Sequence, residues 1–95
     1  MWLGYEWDPD KAESNLLKHD GVSFESAITI FDDPLSRTIP DPEHSDDEDR
    51  FITLGTSESG ELLVVCNCDR GDKIRIFSAR RAEAHERRSY ARAIV

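Results

Sequence analysis

The clearest alternation of apolar and polar positions lies near the end of the chain. Between residues 74 and 79 the isoleucines stand two positions apart, which is the period of a strand with one buried face. From about Arg81 the alternation stops, and the chain fills with Ala, Glu and Arg, which are good helix formers. The pattern therefore predicts a strand that passes directly into a C-terminal helix at Ser78 and Ala79.

The predicted helix carries a carboxylate and a phenol on the face that should pack against a sheet. Glu86 and Tyr90 lie one helical turn apart on that face. A carboxylate that turns inward is costly unless it is paired, and the nearest cations are Arg75 and Arg80 on the preceding strand. These four side chains indicate either a structural ion pair or a functional site, and by themselves they favour the ion pair.

Two helices are predicted in the first third of the chain. Asp8 is a good N-cap and Pro9 suits the first helical position, so a first helix should run to about His19, with Asn15 exposed. Ser23 should cap a second helix. The apolar residues of this second helix form a stripe at i, i+3, i+4 and i+7: Phe24, Ala27, Ile28 and Phe31.

Strand-like runs fill the middle of the chain. A short strand is expected at residues 5–7 and a weak edge strand at residues 35–41, where Pro40 removes a ladder donor. Three further runs are separated by turn-like segments with glycine and short polar side chains: residues 51–56, 61–68 and 73–79. The second of these runs is apolar on both sides, so it should be central. The chain is thus predicted to be one α+β domain, residues 1–95, with two N-terminal helices, an antiparallel meander and a C-terminal helix.

Composition and charge limit what this domain can do. Of the 95 residues, 38% are hydrophobic and 34% are charged, so the core must be economical. The formal net charge is −8, of which residues 1–49 carry −11 and residues 50–95 carry +3. The overall charge argues against indiscriminate nucleic-acid binding, whereas the basic second half leaves room for a local anion-binding face. No segment resembles a membrane span or a signal peptide, which predicts a cytoplasmic protein without membrane association.

The two cysteines favour packing over chemistry. Cys66 and Cys68 fall on the same side of one predicted strand, a poor geometry for a mutual disulfide. Two cysteines are also too few for a zinc site, so they are expected to fill the core in a reducing compartment. The acidic loop at residues 41–50 matches no calcium-loop spacing. Neither a metal nor a cofactor is predicted.

Histidines and basic residues supply the candidate chemistry. His44 lies in the acidic loop, and histidine is the side chain best suited to proton transfer near neutral pH. Lys18 and His19 either complement the dipole of the first helix or supply a cation and a second proton-transfer group. No nucleophile elbow, phosphate loop or dinucleotide fingerprint is present. The residues remain compatible with metal-free RNA cleavage, in which the 2′-hydroxyl attacks and arginines stabilise the phosphorane charge.

A co-linear set of residues extends through nearly the whole chain. In the first half the set comprises Glu6-Trp7-Asp8, Lys11-Ala12, Asn15, Lys18-His19, residues 21–27, residues 31–34, His44-Ser45, Glu48 and Arg50. In the second half it comprises Gly55, residues 63–65, Arg70, residues 74–80, Ala82, Glu86-Arg87 and Tyr90. In this order the residues resemble the BrnT toxin family, and the order is far more specific than any one segment.

The resemblance implies a RelE-like ribonuclease toxin of a bacterial type II toxin–antitoxin system. The implied fold is an antiparallel sheet with helices packed against it. The implied activity is metal-independent endoribonuclease cleavage of the mRNA-interferase type, which inhibits translation. The implied partner is a BrnA-like ribbon-helix-helix antitoxin, with promoter DNA bound only through the complex and with room for a toxin dimer inside it.

The resemblance also favours a functional site, rather than only an ion pair, for the residues around Glu86. The predicted catalytic residues are His19, His44, Arg75, Arg80, Glu86 and Tyr90. The predicted RNA-binding residues are Lys18, Arg50 and Arg70. His44 or Glu86 would act as base and His19 or His44 as acid. The arginines would clamp the phosphate, and Tyr90 would orient it or stack on a base.

The chain departs from the family pattern at several positions. Asp20 is an extra residue after His19, Glu61 stands where a basic residue is common, and Ala91 stands where an acid is usual. These departures keep a second hypothesis open. In it, the chain is a catalytically degenerate, toxin-like binding module that acts only through its antitoxin complex and promoter autoregulation.

Overall fold

The computed structural model describes residues 4–18 and 20–94. In those residues, strands and helices follow in the order β1 (Gly4–Glu6), α1 (Pro9–Lys18), α2 (Phe24–Ala27), β2 (Arg37–Pro40), β3 (Arg50–Thr56), β4 (Leu62–Arg70), β5 (Lys73–Arg81) and α3 (Ala84–Ile94). Two 3₁₀ segments follow α2 and β2: Ile28–Asp32 and Pro42–His44. The predicted α+β class is confirmed.

The strands form one five-stranded sheet in the order β1-β5-β4-β3-β2. Strands β2 to β5 pair antiparallel as the predicted meander, with β4 in the interior and β2 at an edge. Strand β1, to which the sequence assigned no partner, pairs parallel with β5 and lies outside the predicted meander. Alternation along a strand specifies its two faces but carries no information on the direction of a partner that lies far away in sequence.

The second helix is shorter than predicted. Ser23 caps α2 as expected, and its Oγ accepts a backbone hydrogen bond of 3.0 Å from the first turn. After four residues the chain tightens into the 3₁₀ segment Ile28–Asp32, in which three residues make one turn. The tightening makes Ile30, three residues after Ala27, a fully buried core residue, while Phe31 is only partly buried.

Strand β5 runs to Arg81, so the predicted change to helix at Ser78 and Ala79 is wrong. A β-bulge interrupts its pairing with β4, and the register leaves Phe77 without a partner residue. The bulge breaks the period of two without ending the strand. Pairing with β4 then continues through residues whose propensity alone favours a helix.

The core lies between one face of the sheet and the layer formed by α1, α2 and the first 3₁₀ segment. Its buried residues come from both layers: Val22, Phe24, Ala27, Ile30, Leu63, Val65, Ile74, Ile76 and Ala79. No helix among residues 4–18 and 20–94 has the length and apolarity that crossing a membrane requires.

Asn15 joins the helical layer to the sheet, and the prediction that it is exposed is wrong. Only 5% of the residue is accessible. Its Nδ2 donates to the carbonyl oxygens of Val22 (2.9 Å) and Ala79 (2.8 Å), and its Oδ1 accepts from the Ala79 amide (3.1 Å). Ala79 pairs with Val65 of β4 on one side, but β1 pairs with β5 only as far as Arg75, so on its other side the backbone of Ala79 has no neighbouring strand. The amide of Asn15 satisfies these backbone groups instead.

Candidate functional site

The sheet face opposite the helical layer carries a series of arginines. Residues paired across neighbouring strands point to the same face. Val64 alternates with the core residues Leu63 and Val65, so it lies on the outer face, and it pairs with Arg80. The same registers place further arginines there. We call this surface the arginine face and define it by Arg37, Arg50, Arg70, Arg75 and Arg80.

At one end of the arginine face, Arg80 pairs with Glu86 of α3. Arg80 Nη1 and Nη2 donate to Glu86 Oε1 and Oε2 at 2.7 and 2.9 Å. Glu86 Oε1 also accepts from the Glu83 amide at 2.8 Å, which caps the start of α3. The hydrogen bonds from Arg80, opposed by partial burial and aided by the Glu83 amide, lower the pKa of Glu86 to about 2. A carboxylate with that pKa is a poor proton acceptor at neutral pH.

Tyr90 anchors α3 to the body of the protein. Its hydroxyl donates to Asp33 Oδ2 at 2.5 Å and accepts from Thr56 Oγ1 at 3.2 Å. The same Asp33 oxygen accepts from the Thr56 amide at 2.8 Å. The hydrogen bond to Asp33 raises the pKa of Tyr90 above its ordinary value, so the phenol remains protonated. The phenol is thus held by a carboxylate, one turn along α3 from the Arg80–Glu86 pair.

Lys18 belongs to the same end of the site. Together with Asp20, Arg80 and Glu83 it lines a shallow depression of about 210 Å³. The structure therefore places Lys18 in the same depression as Arg80. His19, the next residue, lies outside the described residues.

At the other end, His44 is oriented by Asp41. His44 Nδ1 lies 2.7 Å from Asp41 Oδ2, and the Asp41 side chain is 8% exposed while that of His44 is 61% exposed. The loop is closed around this pair, because the Asp41 amide donates to the Arg50 carbonyl at 2.9 Å and Ser45 Oγ donates to the Asp41 carbonyl at 2.7 Å. A fixed carboxylate on Nδ1 leaves Nε2 available for proton exchange with a substrate.

Arg50 lies in the same depression as His44, a space of about 180 Å³. Its guanidinium carbon stands 3.8 Å from the ring centre of Phe77, and Lys11 Nζ stands 5.4 Å from the same centre. This stacking holds Arg50 against the sheet through a cation–π contact, and among the described residues its guanidinium forms no salt bridge, although its charge helps to lower the pKa of Glu48 in the same depression. The bulge in β5 thus lies at the aromatic ring that contacts both cations.

The two remaining arginines of this end are paired. Arg75 Nη1 donates to Glu6 Oε2 at 2.7 Å, so Arg75 does not pair with Glu86. Arg70 makes two hydrogen bonds of 3.1 and 3.0 Å to Glu48, and these hold the pKa of Glu48 below its usual range. Both guanidiniums keep further N–H groups that an anion could bind.

The predicted residues therefore fall into two groups on one face. Arg50 and Arg75 belong to one row across the strands, through Cys68. Arg80 belongs to a row four residues farther along β3, which is about 13 Å away at the usual rise of a strand. A single phosphate cannot contact both rows, whereas an extended polyanion can.

An apolar groove lies beside the Arg80 row, between β2 and α3. Its walls include Ile39, Ile52, Leu54 and Val64, and its volume is about 320 Å³. Arg37 stands at the same groove and donates to Ser89 of α3 at 3.4 Å. The dimensions and lining suit a planar, weakly polar group such as a nucleobase.

Sequence reasoning missed three contributors to this surface: Glu6, Asp41 and Phe77. Asp41 had a local signal, because it stands three residues before His44 at the start of a Pro-led turn. Glu6 and Phe77 had no local signal. Glu6 contacts Arg75, which lies 69 positions away in the chain, and Phe77 contacts Lys11 and Arg50 at the bulge in β5.

Comparison with known proteins finds a family model and a solved structure that are similar to this chain. A family model described as a ribonuclease toxin, BrnT, of type II toxin–antitoxin systems matches residues 7–86. Among solved structures, the chain resembles the crystal structure of the Brucella abortus ribonuclease toxin BrnT, with a TM-score of 0.58 and 20% sequence identity. The similarity covers 84% of this chain and 96% of that one. A search of curated proteins gave no match.

Proposed function

The chain belongs to the BrnT family of ribonuclease toxins of type II toxin–antitoxin systems, and we propose that it cleaves RNA on the arginine face without a metal ion. The observation that carries this proposal is the His44–Asp41 contact of 2.7 Å in the same depression as Arg50, whose guanidinium forms no salt bridge within residues 4–18 and 20–94. Together they combine a proton-transfer group with a cation for a phosphate.

In the proposed reaction, the 2′-hydroxyl oxygen of the substrate bonds to the adjacent phosphorus while a base accepts its proton. The bond from phosphorus to the 5′ oxygen breaks, and an acid donates a proton to that oxygen. The products are a 2′,3′-cyclic phosphate and a free 5′-hydroxyl. We assign one of the two proton transfers to His44 Nε2, with Asp41 holding the ring in one tautomer. His19 remains the predicted partner for the other transfer.

We assign the arginines to two different phosphates of the RNA. Arg50 and Arg75, in one row, are proposed to hold the scissile phosphate and stabilise its developing charge. Arg80, held in place by Glu86, and Lys18 are proposed to bind a neighbouring phosphate. Because Glu86 has a pKa of about 2, we assign it the positioning of Arg80 rather than a role as base. Tyr90 is assigned the positioning of α3.

Membership of a type II system implies a protein antitoxin as partner. We propose a BrnA-like ribbon-helix-helix antitoxin, a RelE-like, mRNA-interferase mode of action in the cytoplasm, and promoter DNA bound only by the complex. The same proposal treats residues 1–95 as one toxin domain and includes a toxin dimer among the stoichiometries of the complex.

The test is cleavage of a fluorescently labelled single-stranded RNA by the purified chain in excess EDTA. His44→Gln is expected to lower the rate by about 100-fold or more, and Asp41→Asn to lower it by a smaller factor through loss of ring orientation. Asp49→Asn, an exposed carboxylate of the same loop, is the matched control and should cleave like the parent. All three variants should keep the circular dichroism spectrum of the parent.

Three outcomes contradict parts of this proposal. Parent-level cleavage by His44→Gln removes His44 from the reaction. Cleavage that stops in EDTA and returns with Mg²⁺ removes the metal-independent mechanism. A folded parent that binds its antitoxin but neither cleaves RNA nor arrests growth points to the non-catalytic binding module instead.

A further inference from the structure

A second cavity opens on the core face of the sheet, away from the arginine face. It lies where the helical layer ends, and its volume is about 470 Å³. Three aromatic rings line it: Tyr5 of β1, Phe31 of the first 3₁₀ segment and Phe51 of β3. The Tyr5 and Phe31 rings contact each other, with centroids 5.6 Å apart and planes tilted by 30°. Tyr5 pairs with the core residue Ile74, which confirms the face to which the cavity belongs.

The floor of the cavity presents an unused hydrogen-bond acceptor. Asn67 is 4% exposed, and its Nδ2 donates to Thr53 Oγ1 and to the Val65 carbonyl, both at 3.0 Å. Because a carbonyl oxygen only accepts, the contact with Val65 assigns nitrogen to that position of the amide. Asn67 Oδ1 accepts no hydrogen bond from any described residue. No unpartnered side-chain atom among those residues is sealed from solvent, so Oδ1 opens into the cavity.

Two carboxylates stand at the rim. Asp32 and Asp69 line the cavity and are exposed, and neither has an ion-pair partner within residues 4–18 and 20–94. The described lining contains no Lys, Arg or His. Burial, with the charge of Asp32 added to it, raises the pKa of Tyr5 above its ordinary value, which keeps the phenol neutral. The cavity therefore offers aromatic faces, acceptor oxygens and negative charge, and the lining that the structure describes supplies no cation to balance that charge.

We infer that this cavity is the anchoring site for an arginine side chain of the antitoxin. A guanidinium stacks on aromatic rings and carries five N–H donors, which the two rim carboxylates and Asn67 Oδ1 can accept. A neutral apolar side chain would leave Asn67 unsatisfied, and an acidic one would meet Asp32 and Asp69. The −11 charge of residues 1–49 also favours approach of a basic partner segment. This site goes beyond the proposed ribonuclease function, because it lies on the other face of the sheet.

The first experiment uses N-acetyl-arginine amide as the probe, with N-acetyl-citrulline amide as its uncharged analogue. NMR of the purified parent should show saturable shifts of the Tyr5, Phe31 and Phe51 ring signals with arginine amide. Binding of the citrulline analogue should be at least about 10-fold weaker, because it lacks the charge that the rim carboxylates recognise. Equal binding of the two compounds overturns the inference, as do unmoved ring signals at about 50 mM arginine amide.

The second experiment measures the affinity of the cognate antitoxin for a double variant, Asp32→Asn with Asp69→Asn. The matched control is Asp10→Asn with Glu25→Gln, which removes two exposed negative charges outside the cavity. The inference predicts an affinity at least about 10-fold lower for the first variant and within about 2-fold of the parent for the control. Equal affinities of the two variants overturn the inference.

RNA cleavage by the same variants separates this inference from the proposed function. Asp32 and Asp69 have no part in the proposed reaction, so the double variant should cleave RNA like the parent. If the parent cleaves no RNA while the cavity variant alone loses antitoxin affinity, the ribonuclease proposal fails and the anchoring site stands. If cleavage occurs and antitoxin affinity is unchanged, the anchoring site fails and the ribonuclease proposal stands.

Discussion

Arg80 on β5 and Glu86 on α3 form a bidentate ion pair with N–O distances of 2.7 and 2.9 Å. The pair joins the C-terminal helix to the sheet, and Glu86 also caps that helix through the Glu83 amide. The same contact fixes the guanidinium of Arg80 on the arginine face. Structural and functional interpretations of this pair are therefore compatible, since the carboxylate that stabilises the helix also orients the cation.

Glu86→Gln should destabilise the protein. The substitution removes the charge that Arg80 pairs with and weakens the cap of α3, at a cost of about 1–2 kcal/mol for a partly exposed pair. Urea unfolding followed by circular dichroism measures this. Glu83→Gln is the control, because the Glu83 carboxylate is 67% exposed and 3.9 Å from Arg80, and it should change stability little. A Glu86→Gln protein as stable as the parent would show that the pair is energetically neutral.

Stability should fall on acidification through the titration of Glu86. Its folded pKa of about 2 lies below the ordinary value of 4.5, so its contribution is fully present above about pH 4.5 and is lost as the pH falls towards 2. Asp33 adds to this trend. Burial opposes its ionisation, but hydrogen bonds from Tyr90, Thr56 and Leu35 prevail and lower its pKa. Thermal unfolding between pH 6 and 2.5 should show a shallower decline for Glu86→Gln. Identical pH profiles would contradict this assignment.

Tyr90→Phe should lower stability and spare catalysis. The substitution leaves Asp33 without its phenol donor and weakens the attachment of α3, at a cost of about 1–2 kcal/mol. A double-mutant cycle with Asp33→Asn should show coupling, because the two side chains share one hydrogen bond. RNA cleavage at a temperature where both proteins are folded should stay within a few-fold of the parent. A large loss of cleavage with unchanged stability would make Tyr90 a reacting group instead.

Gly55→Ala should be destabilising because the 3₁₀ segment packs directly on β3. A Cβ on Gly55 would stand 3.1 Å from the Ile30 Cβ, from the Ile30 carbonyl oxygen and from the Ser36 Cβ. These atoms belong to or adjoin the backbone and cannot all move away, so a loss of about 1–3 kcal/mol is expected. Gly4→Ala is the control, because a Cβ there meets no atom within 4 Å. Equal melting temperatures for the two variants would show that the first 3₁₀ segment shifts to accommodate the added methyl group at little cost in stability.

Local signals in the chain predicted most of the elements. Ser23 caps α2, and the meander from β2 to β5 follows the predicted order, with β2 at an edge. The extension of β5 was missed because a bulge breaks the alternation at Phe77 without ending the strand. Asn15 was misassigned because its partners, Val22 and Ala79, come together only when α1 packs on the sheet.

In the candidate site, too, some features came from the sequence and others only from the folded structure. The sequence determined which residue types were available, and the two-residue period of a strand predicts a common face only for residues an even number of positions apart. Arg75 and Arg80 stand five positions apart, so alternation alone would place them on opposite faces, and the bulge at Phe77 in the paired sheet brings them to one face. Tertiary structure decided which carboxylate neutralises each arginine. Arg75 pairs with Glu6 across 69 positions, while Glu86 goes to Arg80. Ion pairs form by proximity in space, and for residues distant in the chain only the packed sheet and helices create that proximity.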